Sequence, residues 1–284
     1  MNMKVFDIDL YAYFGLDKPE AGRGLLTCYE LAVTPEISLE RKSPAILVMP
    51  GGGYQGVSDR EAEPVALTYT AAGYHAFVLR YSTAPARFPT QLREAAMAMI
   101  YIRENADALH VRPDRVAALG FSAGGHLCAC LGTLFDDASL DIFGEKKKQV
   151  RPDAAVYVYP VITSGKYAHR GSFRNLCGED TALMAALSLE TRVTAGSTPA
   201  FLFATSTDSC VQVMNSLKMA EAYAAHGVPF SLYIAEKGCH GLSLGTVTGN
   251  PVGTSLLTEM SQDYVLWQKL SLDWLTERDF VPQD

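Results

Sequence analysis

The 284-residue sequence has no apolar run long enough to span a membrane. Stretches such as 95–102, and 154–162 with its internal Pro160, fall far short of the ~18 residues a spanning helix needs. Positive charge is sparse: 24 basic side chains face 31 acidic ones, the net charge is −7, and the only basic run is Lys146-Lys147-Lys148. Nucleic acids and anionic lipids draw affinity from basic clusters, so neither is expected as a partner. The six cysteines include no CxxC pair, which argues against structural zinc and dithiol redox chemistry and fits a reducing cytoplasm. Cys128 and Cys130 read as small buried hydrophobes on one helix. Residues 1–9 alternate polar and apolar types instead of building a secretory apolar segment, so they read as a strand of the mature protein. No repeat, low-complexity tract or linker divides the chain.

What is present is a well-packed α/β pattern. Hydrophobic residues make up 48% and charged residues 19%, which excludes intrinsic disorder. Apolar strand-like runs at 45–49, 76–81, 116–120, 154–159, 200–205 and 230–235 alternate with helical patterns at 64–72, 91–105, 123–134, 211–226 and 263–277. This alternation predicts a mostly parallel sheet with helices on both faces. Residues 5–10 and 25–33 read as antiparallel strands at its start. Residues 163–198 show no strand pattern and read as an excursion with a helix near 181–192. One domain over 1–284, with a small cap-like excursion at 163–198, is the expected organisation.

Gly120-Phe121-Ser122-Ala123-Gly124-Gly125 matches G-x-S-x-G at the end of a predicted strand and the start of a helix. Chance supplies roughly 0.1 such matches in a chain of this glycine and serine content, so context must carry the reading. A tight strand-to-helix turn lifts a serine hydroxyl clear of the sheet, and glycines permit the close packing on either side. The plainer alternative is a glycine-rich helix start that packs or binds an anion.

A serine hydroxyl needs a base, and the base needs a carboxylate to orient it. Of His75, His110, His126, His169, His226 and His240, only His240 lies in a loop directly after a strand in the C-terminal half, between small residues in Lys237-Gly238-Cys239-His240-Gly241. Four residues into the helix, the ring of His126 points away from the turn. Asp208 follows the strand 200–205 and sits on the preceding β–α unit, where adjacent parallel strands bring their loops together. Its alternative role is a helix N-cap. Backbone donors for an oxyanion are expected from the glycine turn Pro50-Gly51-Gly52-Gly53-Tyr54, through Gly52 or Gly53, and from Ala123. A phosphate role for that turn is disfavoured because no G-x-G-x-x-G helix start or P-loop lysine accompanies it.

Together, Pro50-Gly51-Gly52-Gly53-Tyr54, Gly120-Phe121-Ser122-Ala123-Gly124-Gly125-His126-Leu127, Asp208 three residues before Val211, and Gly238-Cys239-His240-Gly241 resemble the α/β-hydrolase superfamily. Within it the chain looks like the lipase/esterase branch of acetyl-xylan-esterase-like and feruloyl-esterase-like bacterial carboxylesterases. The likeness extends over residues 40–275 and takes in Arg60-Glu61-Ala62-Glu63-Pro64, Tyr81-Ser82-Thr83-Ala84-Pro85 and Asn215-Ser216-Leu217. It implies an α/β-hydrolase fold and a serine carboxylesterase that cleaves small acyl esters, acetyl above all, with carbohydrate esters as a natural substrate class. It also implies a triad of Ser122, Asp208 and His240, an oxyanion hole from Gly52, Gly53 and Ala123, and no cofactor or metal. Serine peptidases of the prolyl-oligopeptidase kind, formamidases and non-catalytic hydrolase-fold binding proteins are the alternatives.

Two departures stand out. Pro50 occupies the place of the histidine in the family's His-Gly-Gly-Gly, so support for the loop must come from elsewhere. Thr207 and Gln212 replace the first Asp and the Pro of Asp-Asp-x-x-Val-Pro. Tyr54, Tyr81, Phe88 and Phe173 are candidate pocket-lining aromatics, with Tyr54 and Tyr81 the substrate-binding choices. Cys210 and Cys239 flank the acid and the base and are expected as buried thiols.

Overall fold

The alternation of apolar runs and helical patterns produces one eight-stranded sheet in a computed structural model that describes residues 3–247, 250 and 255–284. Met1 and Asn2, assigned above to the first strand, lie outside the described residues. The strands are β1 (Met3–Asp9), β2 (Leu25–Leu31), β3 (Ser43–Met49), β4 (His75–Arg80), β5 (Val111–Phe121), β6 (Ala154–Val158), β7 (Ala200–Thr205) and β8 (Phe230–Ala235). Their order in the sheet is β1-β2-β4-β3-β5-β6-β7-β8. β1 and β2 pair antiparallel, β2 pairs antiparallel with β4, and every pairing from β4 to β8 is parallel. The mostly parallel sheet is the one that the sequence pattern predicts, and the fold is that of an α/β hydrolase, as the resemblance implies.

Among the described residues eight α-helices surround the sheet: α1 (Leu10–Phe14), α2 (Glu63–Ala71), α3 (Thr90–Glu104), α4 (Ser122–Thr133), α5 (Arg170–Cys177), α6 (Thr181–Ala186), α7 (Met214–Ala225) and α8 (Leu266–Thr276). Because successive strand side chains point to opposite faces, β3 sends Ala45, Leu47 and Met49 into one apolar cluster with α3, α4 and α7. It sends Ile46 and Val48 into a second cluster with α2 and α8. The strand is buried along its whole length, which is why it reads as a continuous apolar run rather than an alternating one.

The differences from expectation are local. α1 is a single turn capped at both ends: the Asp9 carboxylate accepts from the N–H groups of Tyr11 and Ala12, and Gly15 adopts the left-handed conformation after it. β5 begins five residues earlier than its apolar run, since Val111 pairs with Ser43 while Arg112, Asp114 and Arg115 carry charge through the same strand. The excursion between β6 and β7 holds two short helices, α5 and α6, where one near 181–192 is expected. Its root is fastened by Asn215, whose side-chain oxygen accepts from the N–H groups of Ile162 and Thr163 while its amide donates to the Tyr167 carbonyl. Among the described residues no helix is long and apolar enough to cross a membrane.

Candidate active site

The C-terminal ends of β3, β5, β7 and β8 bring the candidate residues to one edge of the sheet, as parallel strands in one layer must. β5 ends at Phe121, and Ser122 opens α4 with φ +52°, a left-handed backbone that non-glycine residues rarely adopt. The flanking glycines show why the motif has its spacing. A Cβ on Gly120 would lie 2.1 Å from the Gly124 carbonyl oxygen, and one on Gly124 would lie 2.0 Å from that of Met49 and 2.4 Å from that of Pro50. These are backbone atoms with nothing flexible to yield, so α4 can approach β3 and β5 this closely only through glycine.

Ser122 Oγ lies 2.8 Å from His240 Nε2, and His240 Nδ1 lies 2.6 Å from Asp208 Oδ2. The other Asp208 oxygen accepts from the N–H groups of Cys210 and Val211, both at 2.9 Å. Asp208 is therefore the partner of His240 and the cap of its own loop; it is not the N-cap of α7, which begins at Met214 after Val213 with no side-chain cap. With Nδ1–H donated to the carboxylate, the neutral ring leaves Nε2 as an acceptor for the serine hydroxyl. The side chain of Asp208 is only 2% exposed and that of His240 18% exposed.

The glycine turn follows β3. Gly52 (φ +132°) and Gly53 (φ +65°) have backbones reserved for glycine, and a Cβ on Gly52 would strike the Gly56 carbonyl. Among the described residues, neither the Gly52 nor the Gly53 N–H has an acceptor within the protein. Ala123, in the first turn of α4, lies where no earlier helical turn supplies one. These are the three donors named from sequence.

Both departures from the family motif have structural counterparts. In place of a histidine before the glycines, Tyr81 donates its hydroxyl to the Pro50 carbonyl at 2.6 Å, and Glu61 accepts from the Gly51 N–H at 2.7 Å. Thr207 makes a reciprocal pair with the histidine loop: its hydroxyl donates to the Gly238 carbonyl (3.3 Å) and accepts from the Gly238 N–H (3.0 Å). An ionised aspartate has no hydrogen to complete that pair.

The aromatic expectations are corrected. Tyr81 is fully buried beneath the turn and presents no surface to a substrate, so its substrate-binding assignment becomes loop support. Tyr54 is also buried, its hydroxyl 2.9 Å from His126 Nδ1 and its ring edge-on to that histidine, so its assignment becomes packing between the turn and α4. Phe88 packs against the core of that same face. The thiol expectation also needs correction: Cys210 is exposed and Cys239 partly so, because the turn aims its N–H groups, not its side chains, at Asp208. All six cysteines are free, and the described residues hold no cluster of metal-ligating side chains.

Sequence reasoning missed the residues that reach the site from other elements. α5 lies over the glycine turn, where Asn175 donates to the Gly53 carbonyl at 2.9 Å. His169 caps α5 through Ser172 and stands near the His240–Asp208 pair. Burial and the neighbouring His240 hold its ring below the ordinary histidine value, against a smaller opposite pull from Asp208. Glu61, almost fully buried, is joined to Tyr159, whose ring meets that of His240 edge-on with centroids 4.9 Å apart. Asn175 meets Gly53 across 122 positions and Glu61 meets Tyr159 across 98, so no local pattern marks those contacts.

Comparison with known proteins gives the family. The BD-FAE family matches residues 33–223. The chain is 35% identical over 215 residues, 72% of its length, to endo-1,4-beta-xylanase B of Butyrivibrio fibrisolvens, of which it covers 33%. It is 27% identical over 241 residues, 82% of its length, to acetylxylan esterase of Xylanibacter ruminicola, of which it covers 46%. The chain thus spans less than half the length of either relative. The crystal structure of an acetyl ester-xyloside bifunctional hydrolase from Caldicellulosiruptor lactoaceticus superposes with a TM-score of 0.77 at 36% identity, covering 90% of this chain and 89% of that one. With more than half of its length matched and the hydrolase sheet order in place, the chain belongs to the BD-FAE family of α/β hydrolases.

Proposed function

We propose that this protein is a serine carboxylesterase that removes small acyl groups, acetyl above all, from carbohydrate esters through an acyl-enzyme. The observation that carries the reading is the unbroken relay from Ser122 Oγ through His240 to Asp208 at 2.8 and 2.6 Å, with the far oxygen of Asp208 held by two backbone N–H groups. In this reading Ser122 attacks the ester carbonyl and His240 Nε2 takes its proton, then returns it to the leaving alcohol. Asp208 holds the imidazole in the required tautomer and faces the positive charge that forms. The N–H groups of Gly52 or Gly53 and of Ala123 receive the oxyanion. Water, activated by His240, then releases the acyl group.

One feature favours a short acyl group on a sugar. The relatives include an acetylxylan esterase and an acetyl ester-xyloside hydrolase. The test is a series of p-nitrophenyl esters of increasing chain length beside acetylated xylooligosaccharides, with an organophosphonate label read by mass spectrometry. A sharp preference for acetyl and labelling of Ser122 are expected. An optimum at long chains, faster cleavage of aminoacyl amides, or labelling elsewhere would overturn the assignment.

A further inference from the structure

Glu61 lies in a short 3-10 turn, Asp59–Glu61, within a stretch that carries the family resemblance but had no role assigned to it, and is 3% exposed. Its two carboxylate oxygens hold different parts of the site. Oε2 accepts from the Gly51 N–H at 2.7 Å, at the head of the glycine turn. Oε1 accepts from the Tyr159 hydroxyl at 2.7 Å, and that hydroxyl accepts from the Ser243 N–H at 3.0 Å, in the loop that carries His240. The same loop is tied to the same turn a second time, because Ser243 Oγ donates to the Arg60 carbonyl at 2.7 Å.

Donor accounting sets the state of the carboxyl. The Gly51 and Ser243 N–H groups can only donate, so the Tyr159 hydrogen must go to Glu61, and both Glu61 oxygens act as acceptors, the pattern of an ionised carboxylate. The fit is tight: a Cβ on Gly51 would lie 2.7 Å from Glu61 Oε2 and 2.9 Å from Ser122 Cβ. Burial pushes the Glu61 carboxyl above the usual range, while Tyr159, Gly51, His240 and Arg60 each favour its charged form. Tyr81 and Tyr264 also face it, and burial keeps both phenols neutral.

We propose that Glu61 is a positioning residue for the esterase reaction: it sets the oxyanion turn against the histidine loop and supplies a second negative charge beside the His240 imidazolium formed in the transition state. This rests on the hydrolase reading of Ser122 and His240. Glu61 touches neither substrate nor the reacting atoms in this role, so it acts through Gly51, Tyr159 and its charge.

The experiment compares wild type, Glu61→Gln and Tyr159→Phe with p-nitrophenyl acetate, recording kcat, KM, the pH dependence of kcat/KM, the rate of organophosphonate labelling of Ser122 and the melting temperature. Glu61→Gln is expected to lower kcat and the labelling rate of the folded fraction about 10- to 100-fold, with KM within about twofold, and to lower the melting temperature somewhat because the amide leaves one of the two buried donors unpaired. Its acidic limb of kcat/KM is expected to move to lower pH, which a merely structural role does not produce while Asp208, Arg60 and His169 are unchanged. Tyr159→Phe keeps the charge, and is expected to lower kcat without moving the limb. A fully active Glu61→Gln enzyme, or one whose loss only tracks its unfolded fraction, overturns the role of Glu61. A wild-type protein that neither labels at Ser122 nor turns over ester overturns the underlying reading and this proposal with it.

Discussion

His240 and His126 each stand between a hydroxyl group and an oxygen acceptor, in regions joined by the first turns of α4. His240 Nε2 meets the Ser122 hydroxyl and its Nδ1 meets the Asp208 carboxylate. His126 Nδ1 meets the Tyr54 hydroxyl and its Nε2 meets the Leu187 carbonyl, both at 2.9 Å. The difference lies in what can accept a charge. The Asp208 carboxylate lies directly on the His240 ring, whereas at His126 the Leu187 carbonyl and the more distant Glu190 charge offset only part of the cost of burial, which pushes that ring down to about 4. His126 is thus held as a neutral strut between the glycine turn and the excursion, and His240 is the ring equipped to carry a proton. Partner chemistry separates the proposed base from a brace.

Removing each ring sharpens that contrast. The largest effect is expected for His240→Ala or Ser122→Ala: loss of about 10⁵-fold or more in kcat with little change in melting temperature, checked by ester turnover and calorimetry. Asp208→Asn keeps the shape but presents the wrong partner to Nδ1, and is expected to cost about 10³- to 10⁴-fold in kcat. His126→Ala should reverse the pattern, with about 3 kcal/mol lost in denaturant unfolding and only a several-fold change in kcat for the folded fraction.

Acid unfolding provides a fourth test. The folded His126 value of about 4 lies below the unfolded value of about 6.5, so the unfolded chain takes up the proton first. Its contribution, up to about 3 kcal/mol, is present above pH 6.5 and lost as pH falls from there to about 4. His75, also held near 4 by burial, acts in the same direction. Glu61 and Glu94, raised by burial, act oppositely, favouring the fold below their unfolded value and losing that contribution as pH rises through their folded values. The difference between wild type and His126→Ala isolates the histidine, and an unchanged acid slope in the variant would break the comparison. The smallest effect is expected at exposed Cys210, where Cys210→Ser should leave kcat within about twofold and stability within about 0.5 kcal/mol.

Much of this arrangement was legible from residues alone where the signal is local. β3, β7 and β8 are apolar runs bounded by polar or glycine-rich turns, and Ser122, Asp208 and His240 each follow such a run. The rest depends on partners distant in the chain. Glu61 meets Tyr159 across 98 positions, His126 meets Leu187 across 61, and Asn175 meets Gly53 across 122. α1 is a single turn, too short for helical periodicity to show, and its capping Asp9 reads in sequence as one more polar residue of a strand. The aromatic choices failed at Tyr81 because sequence marks a residue at a strand end without saying whether its hydroxyl faces solvent or a carbonyl.

The backbone at Ser122 has a consequence for heat tolerance. A φ of +52° penalises any side chain with a Cβ by about 1 kcal/mol or more, and glycine is relieved of most of that penalty. Of two inactive proteins, Ser122→Gly should therefore outlast Ser122→Ala on heating, and should exceed the wild type as well. The proposed nucleophile is then one of the places where the fold is least at ease, and a screen that rewarded thermal survival alone would select its hydroxyl away.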